Sequence, residues 1–257
     1  MIPLRDDVPS RSIPFVNVGL IVLNALFWLL ELMIGYDGLP RFLSQAAVVP
    51  ALYTGRDHSL GLIEVFFTTL QPDLGLRVFL SMFLHGGWLH FLGNMLYLWI
   101  FGDNVEDRLG HFRYLVFYLL CGWIAAYAHV WAEPASRLPA IGASGAIAGV
   151  LGAYMTLYPT ARVITLIPLG IFFPTVEIPA LFFLAFWFLQ QFFLGTASLA
   201  QGPQVSGGTA WWAHIGGFVA GAVLVWIFQN PRRRPPPRPR AWRDDFHHRQ
   251  RAYTSRW

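Results

Sequence analysis

The 257-residue chain contains no lysine: all 18 of its basic side chains are arginine, set against 14 Asp and Glu for a net charge of +4. It has one cysteine, Cys121, which excludes an internal disulfide and a cysteine-based metal site. Charged residues are also scarce, at 12% of the chain, where a soluble domain carries about 25%. With 55% of residues hydrophobic and gathered in several separate runs, the composition excludes a string of soluble domains and reads as one polytopic membrane domain with short tails. No nucleic-acid partner is expected. The first apolar run lacks a small-residue cleavage site, so it reads as a retained helix rather than a signal peptide.

What is present is a succession of apolar stretches. Residues 1–12 read as a short polar tail, expected to be cytoplasmic. Ile13 to Gly35 is the first expected span, with Glu31 near its end reaching the interface. Residues 36–86 form a connection too apolar for an ordinary loop, so short interfacial helices are expected there, with polar edges at Arg41, Arg56, Asp57 and Arg77. The second span starts at Gly86-Gly87-Trp88 and runs to about Phe101, after which Asp103, Glu106, Asp107 and Arg108 mark exit into water, with Asp or Asn capping the third helix. The third covers His111 to Val130. The fourth is the uncharged stretch Pro139 to Tyr158, long enough to cross a bilayer since about 20 helical residues at 1.5 Å each span about 30 Å. Pro159 to Pro174 reads as an interfacial segment. The fifth span is Thr175 to Leu194, with Glu177 snorkelling or capping near its start, and the sixth is Thr209 to Phe228. Residues 13–229 thus form one membrane domain, and residues 230–257 an Arg/Pro-rich, disordered tail able to contact anionic lipids. With both ends cytoplasmic, five arginines in the N-terminal tail and inner loops and nine in the C-terminal tail lie inside, against four outside, and the positive-inside rule selects that orientation.

This topology aligns four polar residues. Spans two, four and six all run outside to inside, and His90, Asn94, Ser144 and His214 fall roughly 5–10 Å below the outer ends of their helices. Spans one, three and five offer no comparable set. Unsatisfied polar groups in hydrocarbon cost several kcal/mol, so such residues need one another. Small residues let the helices approach: Gly145, Ala148, Gly149 and Gly152 on the fourth, Gly217 and Gly221 on the sixth. A Ser144–His214 pair then has the makings of nucleophile and general base. No carboxylate lies in span six or the outer turns of span four, so the arrangement is a dyad. The Ser144 backbone N–H at a helix start can donate to a developing oxyanion, and His90 and Asn94, four apart on one helix face, can donate to the same point; one such donor is worth about 3–4 kcal/mol in the transition state.

At these residues the chain resembles the rhomboid family of intramembrane serine proteases. Three motifs carry the likeness: His85-Gly-Gly-Trp-Leu-His90-Phe-Leu-Gly-Asn94, then Gly142-Ala143-Ser144-Gly145, then Ala213-His214-Ile-Gly-Gly-Phe-Val-Ala-Gly221. The resemblance implies an all-α membrane protein, a six-transmembrane-helix rhomboid-type bundle with a long, partly helical, interfacial first loop. It implies Ser144 as nucleophile and His214 as base, with His90, Asn94 and the Ser144 N–H stabilising the oxyanion. His85, Gly142, Gly145 and Gly217 are supporting residues. It implies no metal or other cofactor, transmembrane-protein substrates cut after a small residue in or near their helices, and a lipid bilayer as the setting. The Arg-only composition points to a prokaryotic cell membrane. Many relatives have an aromatic four residues after the serine, packed on the imidazole; here that position is Ala148.

Blander readings stand beside these. Ser144, His90 and Asn94 each suit interhelical packing, His214 suits a hydrogen-bonded packing role, and His85, His90 and Asn94 lack the carboxylate or further His of a metal site. His58, His111 and His129 read as interfacial or surface residues. The Gly pairs at 86–87 and 207–208 read as hinges. A non-cleaving rhomboid-like binder would be expected to lack the serine or base. A small-solute transporter would favour an internal repeat and charges at mid-membrane, and neither is found.

Overall fold

A computed structural model of the chain describes residues 1–54, 61–201, 209–231 and 233. Arg56, Asp57, His58, the glycines at 207 and 208 and nearly all of the Arg/Pro tail lie outside the described residues. The elements in chain order are strand β1 (Ile2–Asp6), helix α1 (Phe15–Ala46), a 3-10 turn (Pro50–Leu52), α2 (Leu62–Thr69), α3 (Pro72–Ser81), α4 (Trp88–Leu109), α5 (His111–Ala132), α6 (Ser144–Leu157), β2 (Arg162–Leu166), β3 (Thr175–Pro179), α7 (Ala180–Gln201) and α8 (Trp211–Phe228). Phe15–Ala46, His111–Ala132, Ala180–Leu199 and Trp211–Phe228 are long and apolar enough to cross a membrane. Their outward side chains, among them Leu26, Phe112, Phe186 and Trp226, are exposed, as a protein solvated by lipid requires. The chain is an integral membrane protein.

α6 is the axis. It has only 14 residues, Gly145 through Tyr154 are all buried, and it carries no charge. A helix apolar on every side belongs in the middle of a bundle, and at 1.5 Å per residue it is about 21 Å long. The expected fourth span is therefore shorter than drawn from the sequence. Residues 139–143 are not helical because Gly142 has φ +130°, a conformation no helix contains. Pro159 stops the other end. α4, α5 and α8 pack around α6, with Leu98, Phe101, Phe117, Tyr118, Leu151 and Phe218 among the buried core.

The α6–α8 contact is made by backbone. A Cβ on Gly217 would lie 2.0 Å from the Gly145 carbonyl oxygen, and one on Gly221 would lie 1.9 Å from that of Gly149. Reciprocally, a Cβ on Gly152 of α6 would lie 2.1 Å from the Phe218 carbonyl oxygen. Between helices in lipid, where apolar burial gives no driving force, such close approach supplies the van der Waals attraction.

Several sequence expectations are corrected. The all-α expectation fails because β1, β2 and β3 form an antiparallel sheet in that order. Residues 1–12 are thus not merely a tail, since Ile2–Asp6 pairs with Val163–Leu166. The segment Pro159 to Pro174 holds β2 and a turn at Gly170 (φ +64°). The fifth helix begins at Ala180 rather than Thr175, because Thr175–Pro179 is a strand whose β-branched residues pair with those of β2. Glu177 neither snorkels nor caps: it is on β3, 2.7 Å from Arg162 across the sheet, a half-exposed pair worth about 1 kcal/mol or less. The first span does break at Gly35, whose φ of +70° and ψ of 176° are non-helical, and a second helical stretch follows across this kink to Ala46. His129 is buried, not at the surface.

The acidic run after Phe101 also departs from expectation. α4 continues to Leu109, and Asn104, Glu106 and Asp107 are buried. Glu106 accepts hydrogen bonds from the Val16 and Asn17 backbone N–H groups at 3.1 and 2.7 Å, and Asp107 accepts from the Ser12 N–H and hydroxyl at 3.1 and 2.6 Å. These carboxylates meet the orphan N–H groups and positive dipole end of α1, not those of α5, whose N-cap is Gly110. Buried Asn17 completes the joint: its amide N–H donates to the Leu98 carbonyl at 3.0 Å, and its amide oxygen accepts from the Tyr114 hydroxyl at 2.8 Å.

The sheet is docked on the bundle by Asp6, which accepts from the Tyr154 hydroxyl and from Asn104 Nδ2. Burial, helped by the nearby Asp103 and Asp7, pushes the Asp6 carboxyl up to about 7 despite the Tyr154 bond. A carboxyl raised on folding binds a proton that the unfolded chain has already released, so stability falls as pH rises from about 4 to about 7. The melting temperature of the wild type relative to Asp6→Asn, in detergent, is expected to drop between pH 5 and pH 8; a constant difference would rule this out. The helix contact yields a second expectation. Gly221→Ala should cost at least about 1–3 kcal/mol through overpacking, read as a lower unfolding midpoint. Gly19→Ala on α1, where a Cβ meets nothing within 4 Å, should be neutral or slightly stabilising.

Candidate active site

The segment that carries the serine is held at two points before the helix begins. Ala140 and Val48 exchange backbone hydrogen bonds at 2.7 and 3.2 Å, and the Gly142 N–H donates to the Ser81 carbonyl at 2.8 Å. Both partners come from the long connection between α1 and α4, so that connection clamps the run into Ser144. Gly142 is required twice: its φ is in the glycine region, and a Cβ there would lie 2.7 Å from His90 Nε2 and 3.4 Å from Ser144 Oγ. His90 and Ser144 therefore border the same point in space. Ser144 is the first residue of α6, so its own N–H is one of the helix's unpaired donors.

His214, on the first turn of α8, brings Nε2 to 2.7 Å from Ser144 Oγ. The glycine contacts explain why. Gly145 follows the serine and Gly217 lies three residues after the histidine, and these two touch, so the helix separation is set within one turn of the pair. The other imidazole nitrogen, Nδ1, is 2.8 Å from Gln191 Oε1 on α7. The Gln191 amide nitrogen donates to the Trp187 carbonyl at 3.3 Å, which orients the carboxamide with its oxygen toward His214. The imidazole is bordered by two indoles: Trp187 at a ring separation of 5.8 Å and Trp211 edge-on at 6.1 Å.

The second motif residue set lies across a cleft of about 870 Å³ that is lined by Ser144, His214, His90, Asn94, Gln191 and Trp187, among others. Asn94 is buried, and its side-chain NH2 has no hydrogen-bond partner. His90 Nδ1 accepts from the Gly86 N–H at 3.4 Å, which leaves Nε2 to carry the proton and to donate. His85 is not on the cleft. It is buried behind His90, ring centroids 5.3 Å apart and edge-on, between Trp28 and Phe91. Its backbone N–H donates to both carboxylate oxygens of Glu31 at 3.0 and 3.1 Å. Glu31 is thus buried, with 2% of its surface exposed, rather than reaching an interface. A carboxylate there offsets its burial by fixing the turn that starts α4.

The structure thus brings together Ser144, His214, His90, Asn94, Gly142, Gly145 and Gly217, and sets His85 one layer back. Sequence reasoning missed Gln191, Trp187 and Glu31. The signal for Gln191 is the pair Gln190-Gln191 inside an otherwise apolar run. Among the described residues no group of three or more His, Cys, Asp or Glu is arranged to hold a metal ion.

The Rhomboid domain family matches residues 74–231. The chain is 30% identical over 155 residues to Rhomboid protein 1, mitochondrial, of Saccharomyces cerevisiae, covering 58% of this chain and 41% of the yeast protein. It is 24% identical over 210 residues to Rhomboid-like protein 11, chloroplastic, of Arabidopsis thaliana, covering 80% and 66%. It is 35% identical over 85 residues to the human Presenilin-associated rhomboid-like protein, mitochondrial, covering 32% and 22%. The chain therefore spans between about a fifth and two thirds of the length of these relatives. These relatives are mitochondrial or chloroplastic and lend no support to a prokaryotic membrane. With the three motifs gathered on one cleft and a family match over more than half of its length, the chain belongs to the rhomboid family.

Proposed function

We propose that this chain is an intramembrane serine endopeptidase that hydrolyses peptide bonds in or near the transmembrane helices of other membrane proteins. One observation carries the reading: Ser144 Oγ lies 2.7 Å from His214 Nε2 beside a cleft that is also lined by Asn94, whose buried amide NH2 has no hydrogen-bond partner. Residues 13–229 act as one membrane domain of six spans, α1, α4, α5, α6, α7 and α8, with both termini on the cytoplasmic side as the arginine asymmetry implies. α4 and α6 are the two that fall short of a span by length or composition; α6 is enclosed by α4, α5, α7 and α8, whereas α4 keeps Leu89 and Trp99 exposed.

The chemistry runs as acyl transfer. His214 Nε2 takes the hydroxyl proton as Ser144 Oγ bonds to the scissile carbonyl carbon. The carbonyl oxygen gains the negative charge and meets the Asn94 amide, His90 Nε2–H and the Ser144 N–H. Collapse of this intermediate breaks the C–N bond, and the imidazolium gives its proton to the leaving amine. Water, activated by the same imidazole, then attacks the acyl-serine and releases the acid. Ser144, His214, His90 and Asn94 perform every step with no metal or cofactor. An unpaired buried donor such as Asn94 costs stability in the resting protein, a cost recovered when the oxyanion forms.

Three measurements test this. A fluorophosphonate probe should label the detergent-solubilised protein at Ser144, and Ser144→Ala and His214→Ala should abolish labelling; folded wild-type protein that stays unlabelled would overturn the proposal. Incubation with a panel of single-pass membrane proteins should yield fragments cut in or near their helices. Asn94→Ala should lower kcat by about 10²–10³-fold with little change in KM, and full turnover by that variant would remove Asn94 from the oxyanion site.

A further inference from the structure

We infer that Gln191 is a positioning residue for the His214 base, so that α7 completes a three-membered Ser144–His214–Gln191 relay with a neutral third member. The inference deepens the protease reading and rests on it.

The base is useful only in one tautomer. To take the proton from Ser144 Oγ, Nε2 must be bare, and the ring proton must sit on Nδ1. An acceptor facing Nδ1 selects that state, and a donor there would select the wrong one. Gln191 presents its oxygen at 2.8 Å. A carboxamide could equally present nitrogen, but the Gln191 Nε2 donor is committed to the Trp187 carbonyl one turn earlier on α7 at 3.3 Å. The orientation is therefore set by the helix that bears the glutamine. Among the described residues the hydrogen-bond partners of the His214 ring are Ser144 and Gln191 alone.

The same turn of α7 limits the ring's tilt. Ala148, one turn after Ser144, is too small to cover the imidazole. Trp187 lies 5.8 Å from the ring at an interplanar angle of 37°, and Trp211 meets it edge-on. Trp187 and Gln191 are four residues apart and so share one face of α7: the first bounds the ring, the second fixes its proton. A neutral amide differs from a carboxylate in not holding the imidazolium by charge. It also avoids burying a full charge within the bundle.

The test pairs a chemical and a spectroscopic readout on the full chain in detergent. Gln191→Met and Gln191→Leu remove the acceptor at similar volume. Gln191→Glu keeps an oxygen facing Nδ1 whether or not the carboxyl is ionised. The first two should lower the maximal fluorophosphonate inactivation rate by about 10–100-fold, with the probe's half-saturating concentration within about twofold of wild type, since a mis-set tautomer impairs proton transfer rather than binding. Gln191→Glu should label faster than either. In protein carrying 15N-histidine, the His214 signal, assigned by its loss in His214→Ala, should report the Nδ1–H tautomer in wild type and a shift toward Nε2–H in Gln191→Met and Gln191→Leu. Wild-type inactivation rate and an unchanged Nδ1–H signal in either acceptor-less variant would overturn the role of Gln191 while leaving the protease reading intact. Failure of the wild type to label would strike the protease reading instead, and the nitrogen signals would still decide whether Gln191 sets the tautomer.

Discussion

The structure depends on the meeting of two backbones. α6 and α8 touch where neither has a side chain, with the carbonyls of Gly145 and Gly149 occupying the space that Cβ atoms on Gly217 and Gly221 would take. In a bilayer apolar surface is no reason for two helices to associate, so the attraction has to come from closeness itself and from weak Cα–H···O contacts. That closeness is also what the chemistry requires. Ser144 and His214 sit within one turn of the touching glycines, so the helix separation and the oxygen-to-nitrogen distance of 2.7 Å are one quantity. A displacement of about 1 Å in such a pair is enough to cost a large part of the rate.

Polar groups elsewhere in the bundle do the opposite work, holding still what the glycines brought together. Glu106 and Asp107 seat the start of α1, Asp6 docks the sheet, and Glu31 grips the backbone of His85 at the turn into α4. Glu106, Asp107 and Glu31 accept from backbone N–H groups at or just before helix starts, whereas Asp6 accepts from the Tyr154 hydroxyl and the Asn104 side-chain amide. The connection between α1 and α4 belongs to this group as well, since its backbone at Val48 and Ser81 holds the extended residues before Ser144. Other buried side-chain atoms also lack a hydrogen-bond partner, both ring nitrogens of His85 and the Tyr118 hydroxyl among them, but of the described residues with such an atom only Asn94 lines the cleft.

The motif residues were legible because their chemistry is local. Gly-Ala-Ser-Gly puts the serine in the first turns of an uncharged apolar run, His90 and Asn94 must share a face, and glycines at a spacing of four must mark a close contact. The apolar runs of α1, α5 and α8 were legible for the same reason, being long and unbroken. What was misread depended on partners distant in the chain. Ile2–Asp6 is too polar and short to read as a strand until β2 is beside it. Thr175–Pro179 reads as the start of an apolar helix unless the pairing with Arg162–Leu166 is known. The acidic residues after Phe101 look like an exit to water because nothing nearby in the chain says that the start of α1 will cover them.

Residue types alone therefore determined that the chain lives in a bilayer, which three of its stretches carry reactive side chains, and where two helices must come near, because hydropathy, helical periodicity and the size of glycine are properties of single segments. Only the tertiary structure decided that Ser144 begins its helix instead of lying inside it, that Glu31 and His129 are interior, and that the far nitrogen of His214 meets Gln191. The physical reason is that burial, and the partner of a buried polar atom, are set by which segments pack together, and no one segment encodes that.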